Sequence, residues 1–153
     1  MQPSDDQPRA RKPLDREPAV PPRSTLAPVQ GRVLDPGTAI TVKGVDPRPT
    51  VYVGPRVLVS ASVDFEGALE VLRAVARPLK WEVVPRPEDP RTAGLKYAVR
   101  AVDIRVASGE ATIAPDGWTL LQQTRAQFGN DAVRGWGSSM SCSPATSRRT
   151  RSR

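Results

Sequence analysis

"RVLVSASVDFEGALEVLRAVARPLKWEVVPR", residues 56–86, carries the reading of the fold. It opens on an aliphatic run, Arg56 to Ala61, of the length and β-branched content of a strand. Asp64 is placed to cap the helix that follows. In that helix Phe65, Leu69, Leu72, Ala76 and Leu79 recur at spacings of four, three, four and three, so they share one face. Pro78 cannot continue a helix and ends it. "KWEVVPR" is then a short strand with Trp81 and Val83 on one face. The proline-rich loop "PRPEDPRTAG" closes it, since no sheet interior accepts such a run.

Downstream, "LKYAVRAVDIRVA" (95–107) reads as the longest strand, with Val102, Ile104 and Val106 pointing one way and Tyr97, Val99 and Ala101 the other. A second helix opens with Pro115 in its first turn and Asp116 complementing the dipole. It carries Trp118, Leu121 and Phe128 on a stripe and stops at Gly129. "DAVRGW" is read as a final strand. The order strand, helix, strand, strand, helix, strand predicts an α+β fold: a split βαβ (ferredoxin-like) antiparallel sheet with two helices on one face. Upstream, "TAITVKGV" and "PTVYVG", joined by "DPRP", predict an N-terminal hairpin over residues 39–53, and Pro55 is expected at a strand start or edge.

Helices on one face leave the other open. Tyr97, Val99, Ala101 and Val84 are the candidate binding residues there, an apolar patch that calls for cover by a partner or by the chain's own hairpin. Both readings stay open from the sequence. The domain so defined spans residues 37–135.

The flanks differ in composition. Eight of the 17 prolines lie within the first 36 residues, which mix both charge signs, lack large apolar side chains and are expected to form a disordered arm. From Trp136 onward apolar periodicity ends, and residues 136–153 are expected to form a disordered Ser/Arg-rich tail. That composition is the output expected when GC-rich DNA is read in a shifted frame or past a natural boundary, so the chain reads as a fragment. The net charge of +7 divides into +1 over residues 1–30, +2 over 31–135 and +4 over 136–153. The excess sits on Arg148, Arg149, Arg151 and Arg153, and a nearly neutral core disfavours a nucleic-acid-binding domain. Cys142 is the only cysteine, which excludes an intrachain disulfide and a thiolate metal cluster. No cofactor or metal is expected. No signal peptide and no run of eighteen apolar residues is found, so a cytoplasmic protein without a membrane partner is expected.

"GSSMSCSPA" (137–145) looks like the nucleophile segment of a subtilisin-like serine peptidase, with Ser139 in the attacking position. A serine nucleophile needs a positioned base, and the chain has no histidine. Its four lysines, Lys12, Lys43, Lys80 and Lys96, stand in polar or strand-edge contexts, and no helix pattern follows Ser139. No catalytic residue is assigned and the chain is expected not to be an enzyme.

The runs "GTAITVKGVDPRPTVYVGPRVLVSASVDFEGALEVLRAVA", "PDGWTLLQQTRAQFG" and "AVRG" resemble the N-terminal region that precedes the catalytic domain in some actinobacterial subtilisin-like peptidases. The resemblance covers roughly residues 37–135. It implies a propeptide-like module that packs its sheet on the protease and helps it fold, and it supplies a protein partner without an activity. After Gly135 the chain departs from that pattern. The expected function is therefore a non-catalytic interaction domain associated with a subtilisin-like peptidase. A free-standing interaction module is the alternative, and a nucleic-acid binder using the arginine tail is the third reading.

Overall fold

The computed structural model describes residues 21–107, 109 and 111–140, and its architecture is a mixed α+β one: an antiparallel sheet packed against helices. The strands are β1 (Gly31–Leu34), β2 (Thr50–Ser60), β3 (Trp81–Pro85), β4 (Val99–Val106) and β5 (Trp136–Met140). A short α1 (Arg23–Leu26) precedes β1, α2 (Phe65–Ala76) joins β2 to β3, and α3 (Gly117–Phe128) lies between β4 and β5. The sheet runs β1-β2-β4-β3, and β5 pairs with β2.

The register explains how one strand serves three neighbours. Tyr52 is opposite both Arg32 of β1 and Met140 of β5, so β1 and β5 flank β2 on opposite sides. Val57 is opposite both Val102 of β4 and Ser138 of β5. β1 and β4 therefore lie end to end along the same side of β2, meeting at residues 54 and 55. Pro55 occupies that junction. Its missing N–H is harmless because β1 pairs only to Val53, β4 begins pairing at Arg56, and the β5 ladder shifts register between Tyr52 and Val57. The expectation that Pro55 starts a strand or lies at an edge is corrected: it sits inside the longest strand, at a break in every ladder.

α2 forms where the periodicity places it. It buries Phe65, Ala68, Leu69, Leu72, Val75 and Ala76. Asp64 occupies the N-cap position, but its side chain makes no capping hydrogen bond, contrary to the role expected for it. Pro78 falls in the 3-10 turn Arg77–Leu79 that ends the helix, and Lys80 closes that turn in the left-handed region (φ 58°). One core results, in which Leu69, Leu72 and Val75 of α2 and Leu120 and Leu121 of α3 pack on Val57, Val59, Trp81, Val83, Val102 and Ile104 of the sheet. Leu69, Leu72 and Ile104 meet there as the sequence predicts.

Three boundaries move. The residues expected as a disordered arm include α1 and β1 at 23–34, while residues 1–20 lie outside the described part. The hairpin is built by β1 and β2. Residues 39–49 form no strand and instead follow α3, whose Trp118 donates its indole N–H to the Ile40 carbonyl at 2.9 Å. "DAVRGW" is a 3-10 turn at Asn130–Val133 followed by β5, which takes five residues from the expected tail. Residues 141–153, with Cys142 and the four tail arginines, lie outside the described part.

α3 departs most from its expected face. Trp118 is only partly buried and Phe128 is 51% exposed, while Leu120, Leu121, Gln122 and Thr124 turn inward. Gln122 is fully buried, and among the described residues neither its Oε1 nor its Nε2 has a hydrogen-bond partner. An unsatisfied buried amide costs about 1–3 kcal/mol. Gln122→Met, which keeps the volume and removes both polar atoms, is expected to raise the unfolding midpoint in a thermal melt.

Candidate functional site

Pairing and pleat alternation assign the second face of the sheet. Val57, Val59, Val102 and Ile104 enter the core, so their neighbours Arg56, Leu58, Ala101 and Asp103 point the other way. Val84 is opposite Asp103 and joins them, as does Val99 at the start of β4, opposite Ser60. Val99 is 52% exposed, whereas Leu58, Val84 and Ala101 are half-buried. Segment 39–49 lies with α3 on the helical side, so of the two readings left open, cover by the chain's own 39–53 hairpin is not the one found among the described residues.

An ionic cluster crosses this apolar face. Asp103 accepts from Arg56 Nε at 2.8 Å and lies 3.7 Å from Arg86 Nε. One carboxylate thus holds two guanidiniums above the sheet, flanked by Leu58, Ala101 and Val84. Glu82 and Arg105 stand opposite each other beyond it.

Of the four residues proposed from the sequence, Val99, Ala101 and Val84 share this face. Tyr97 does not belong to the strand: β4 begins at Val99, and Tyr97 stands 85% exposed in the turn before it, with Lys96 Nζ 5.6 Å from its ring centre. The turn forms because Ala98 N donates to Leu95 O at 3.0 Å and Ala98 O accepts from Ala61 N at 2.8 Å. Leu58 and the Arg56–Asp103–Arg86 cluster were not foreseen. The alternation in "RVLVS" contains the signal for Leu58, but pairing Asp103 with two arginines needs the strand register.

A second polar centre fixes where α3 starts. Asp116 caps the helix: its Oδ2 accepts from Thr119 N at 2.9 Å and Thr119 Oγ1 at 2.8 Å. Its Oδ1 accepts from Tyr52 Oη at 2.8 Å and Arg32 Nη1 at 3.0 Å, which ties β1, β2 and α3 at one buried carboxylate. Next to it, a Cβ on Gly117 would collide with the Arg56 carbonyl oxygen, so the helix backbone rests directly on β2. Burial first, then the Asp116 carboxylate, push the Tyr52 phenol well above its ordinary value of 10.0. The folded state therefore holds that proton more tightly than the unfolded chain. Its contribution is complete below about pH 10 and is lost as the pH rises beyond it. Tyr52→Phe is expected to flatten the alkaline fall of stability, measured as denaturation midpoint against pH.

Open grooves flank the sheet. One, of about 550 Å³, lies at the β1/β4 junction between Arg32, Pro55, Arg56, Asp103, Arg105 and Pro115. Another, of about 600 Å³, runs between α2 and β3 past Arg73, Arg77, Lys80, Trp81, Glu82 and Val83. Ser139 lies within β5 and not at the start of a helix. Among the described residues no group of three or more His, Cys, Asp or Glu side chains converges to hold a metal, and no helix is long and apolar enough to cross a membrane. Comparison of the chain with protein-family profiles, with curated proteins and with solved structures finds no match in any of the three.

Proposed function

We propose that the chain is a non-catalytic, propeptide-like interaction module of split βαβ topology that docks the uncovered face of its sheet on a partner protein. The partner to which its sequence resemblance points is the catalytic domain of a subtilisin-like serine peptidase. The observation that carries this reading is the asymmetry of the sheet. Both long helices and the apolar core lie on one side, while Leu58, Val84, Val99 and Ala101 surround an ionic cluster on the other. The split βαβ assignment is supported by β4 lying between β2 and β3, with α2 as the crossover, and by β5 returning on the far side of β2 through α3.

The test is inhibition of a purified subtilisin-like catalytic domain by the chain, followed as a fall in peptide hydrolysis. Val99→Glu is expected to weaken inhibition by about tenfold or more, because it places an unpaired charge within the proposed contact. Equal inhibition by Val99→Glu and the unaltered chain would remove the sheet face from the proposal. Failure of the unaltered chain to bind would remove the peptidase as partner.

A further inference from the structure

We propose that the free edge of β3 takes up an extended acidic peptide as an additional strand, a binding site separate from the open face and independent of the peptidase reading. Among the described residues β3 ends the sheet on one side, with β4 as its single neighbour in the strand order. The register decides which of its backbone groups are free. Arg86 N donates to Ala101 O and Ala107 N donates to Lys80 O, both at 2.9 Å. Residues 80 and 86 are therefore in hydrogen-bonded pairs with β4, and the antiparallel alternation puts 82 and 84 in the same set. Trp81, Val83 and Pro85 then turn their backbone groups outward. The edge presents the N–H and C=O of Trp81, the N–H and C=O of Val83, and the C=O of Pro85, which has no N–H to offer. Pro85 limits the site to a short peptide, since pairing cannot propagate past it.

The chemistry of the peptide follows from what borders that edge. Strand neighbours directly opposite one another place their side chains on the same face of a sheet. Residues of an added strand opposite Trp81 and Val83 would point to the helical side, because Trp81 and Val83 do. There the groove of about 600 Å³ holds Arg73 of α2, and Arg77 and Lys80 of the 3-10 turn that follows it. Arg73 and Arg77 also line an adjoining groove of about 350 Å³ with Glu70 and Ala74, so the two cations border one continuous trough. Among the described residues none of these three cations is in an ion pair, although Glu70 and Glu82 stand nearby. Two carboxylates in an acidic-x-acidic arrangement, opposite Trp81 and Val83, match this trough, and backbone bonds from the free edge supply affinity that does not depend on sequence.

The probe is an end-capped heptapeptide with a Glu-Val-Glu centre, titrated into the full chain and followed by backbone amide resonances. A Lys-Val-Lys peptide serves as control. Salt-dependent binding is expected, with the amide protons of Trp81 and Val83 shifting and gaining protection from exchange. The Arg73→Glu, Arg77→Glu double variant, altered at two exposed positions at the end of α2 and in the turn after it, is expected to bind at least about tenfold more weakly and to fold as before by its amide dispersion. Absence of binding, equal binding of the lysine control, unshifted Trp81 and Val83 amides, or full affinity of the double variant would each overturn the site. Val99→Glu is expected to leave this affinity unchanged, which separates the edge from the open face.

Discussion

Leu72→Ala is expected to lower the stability of the chain by about 2–5 kcal/mol, measured as a shift in denaturant midpoint at unchanged slope. Leu72 is fully buried in the middle of α2, facing the same core as Leu69 and the sheet residues Val102 and Ile104. Truncation removes buried methyl groups and leaves a cavity bordered by two secondary-structure layers, neither of which can close on it without moving the other. A domain of this size has about 5–15 kcal/mol in total, so the variant is expected near the limit of folding at physiological temperature.

Asp116→Ala is expected to cost about 3 kcal/mol, for a different reason. The carboxylate accepts four hydrogen bonds from three residues, and no other group replaces it. Loss of the helix cap contributes about 1 kcal/mol. The buried Tyr52 hydroxyl, left without its acceptor, adds about 1–3 kcal/mol. Arg32 adds little, because its side chain is 39% exposed and can turn to water. Asp116→Asn keeps an acceptor for Thr119 N and is expected to fall between the two. Equal stability of Asp116→Ala and the unaltered chain, by chemical denaturation, would show that the three contacts are not formed together in solution.

The stretch from Arg56 through α2 to β3 was legible because each signal is local: an aliphatic run, a helical stripe and the prolines that bound them, although β2 itself runs unbroken through Pro55 from Thr50. The core meeting of Leu69, Leu72 and Ile104 followed from those periodicities. β1 was hidden because "GRVL" is four residues long, lies in a proline-rich context and leaves Val33 40% exposed. β5 was hidden because "WGSSM" carries little apolar content; it is a strand because β2 offers it a ladder, a cause outside its own sequence. The opposite error occurred at "TAITVKGV". Its alternation reads as a strand, but Val45 N closes a turn on Val42 O at 3.1 Å with Gly44 at φ 85°, and Asn130 Nδ2 binds Lys43 O at 3.2 Å. Contacts to α3 decide that segment. On the candidate face, strand alternation found Val84, Val99 and Ala101, while the ionic cluster on Asp103 depends on which strands adjoin and could not be read along the chain.

The claim that one face of the sheet is core and the other is free for a partner is tested most directly by comparing the unfolding midpoints of Val99→Glu and Leu72→Ala. Val99→Glu is expected to stay within about 0.5 kcal/mol of the unaltered chain, as for an exposed position, while Leu72→Ala loses several times that amount. A Val99→Glu chain that unfolds as readily as Leu72→Ala would mean that the second face is buried from within, contradicting the account.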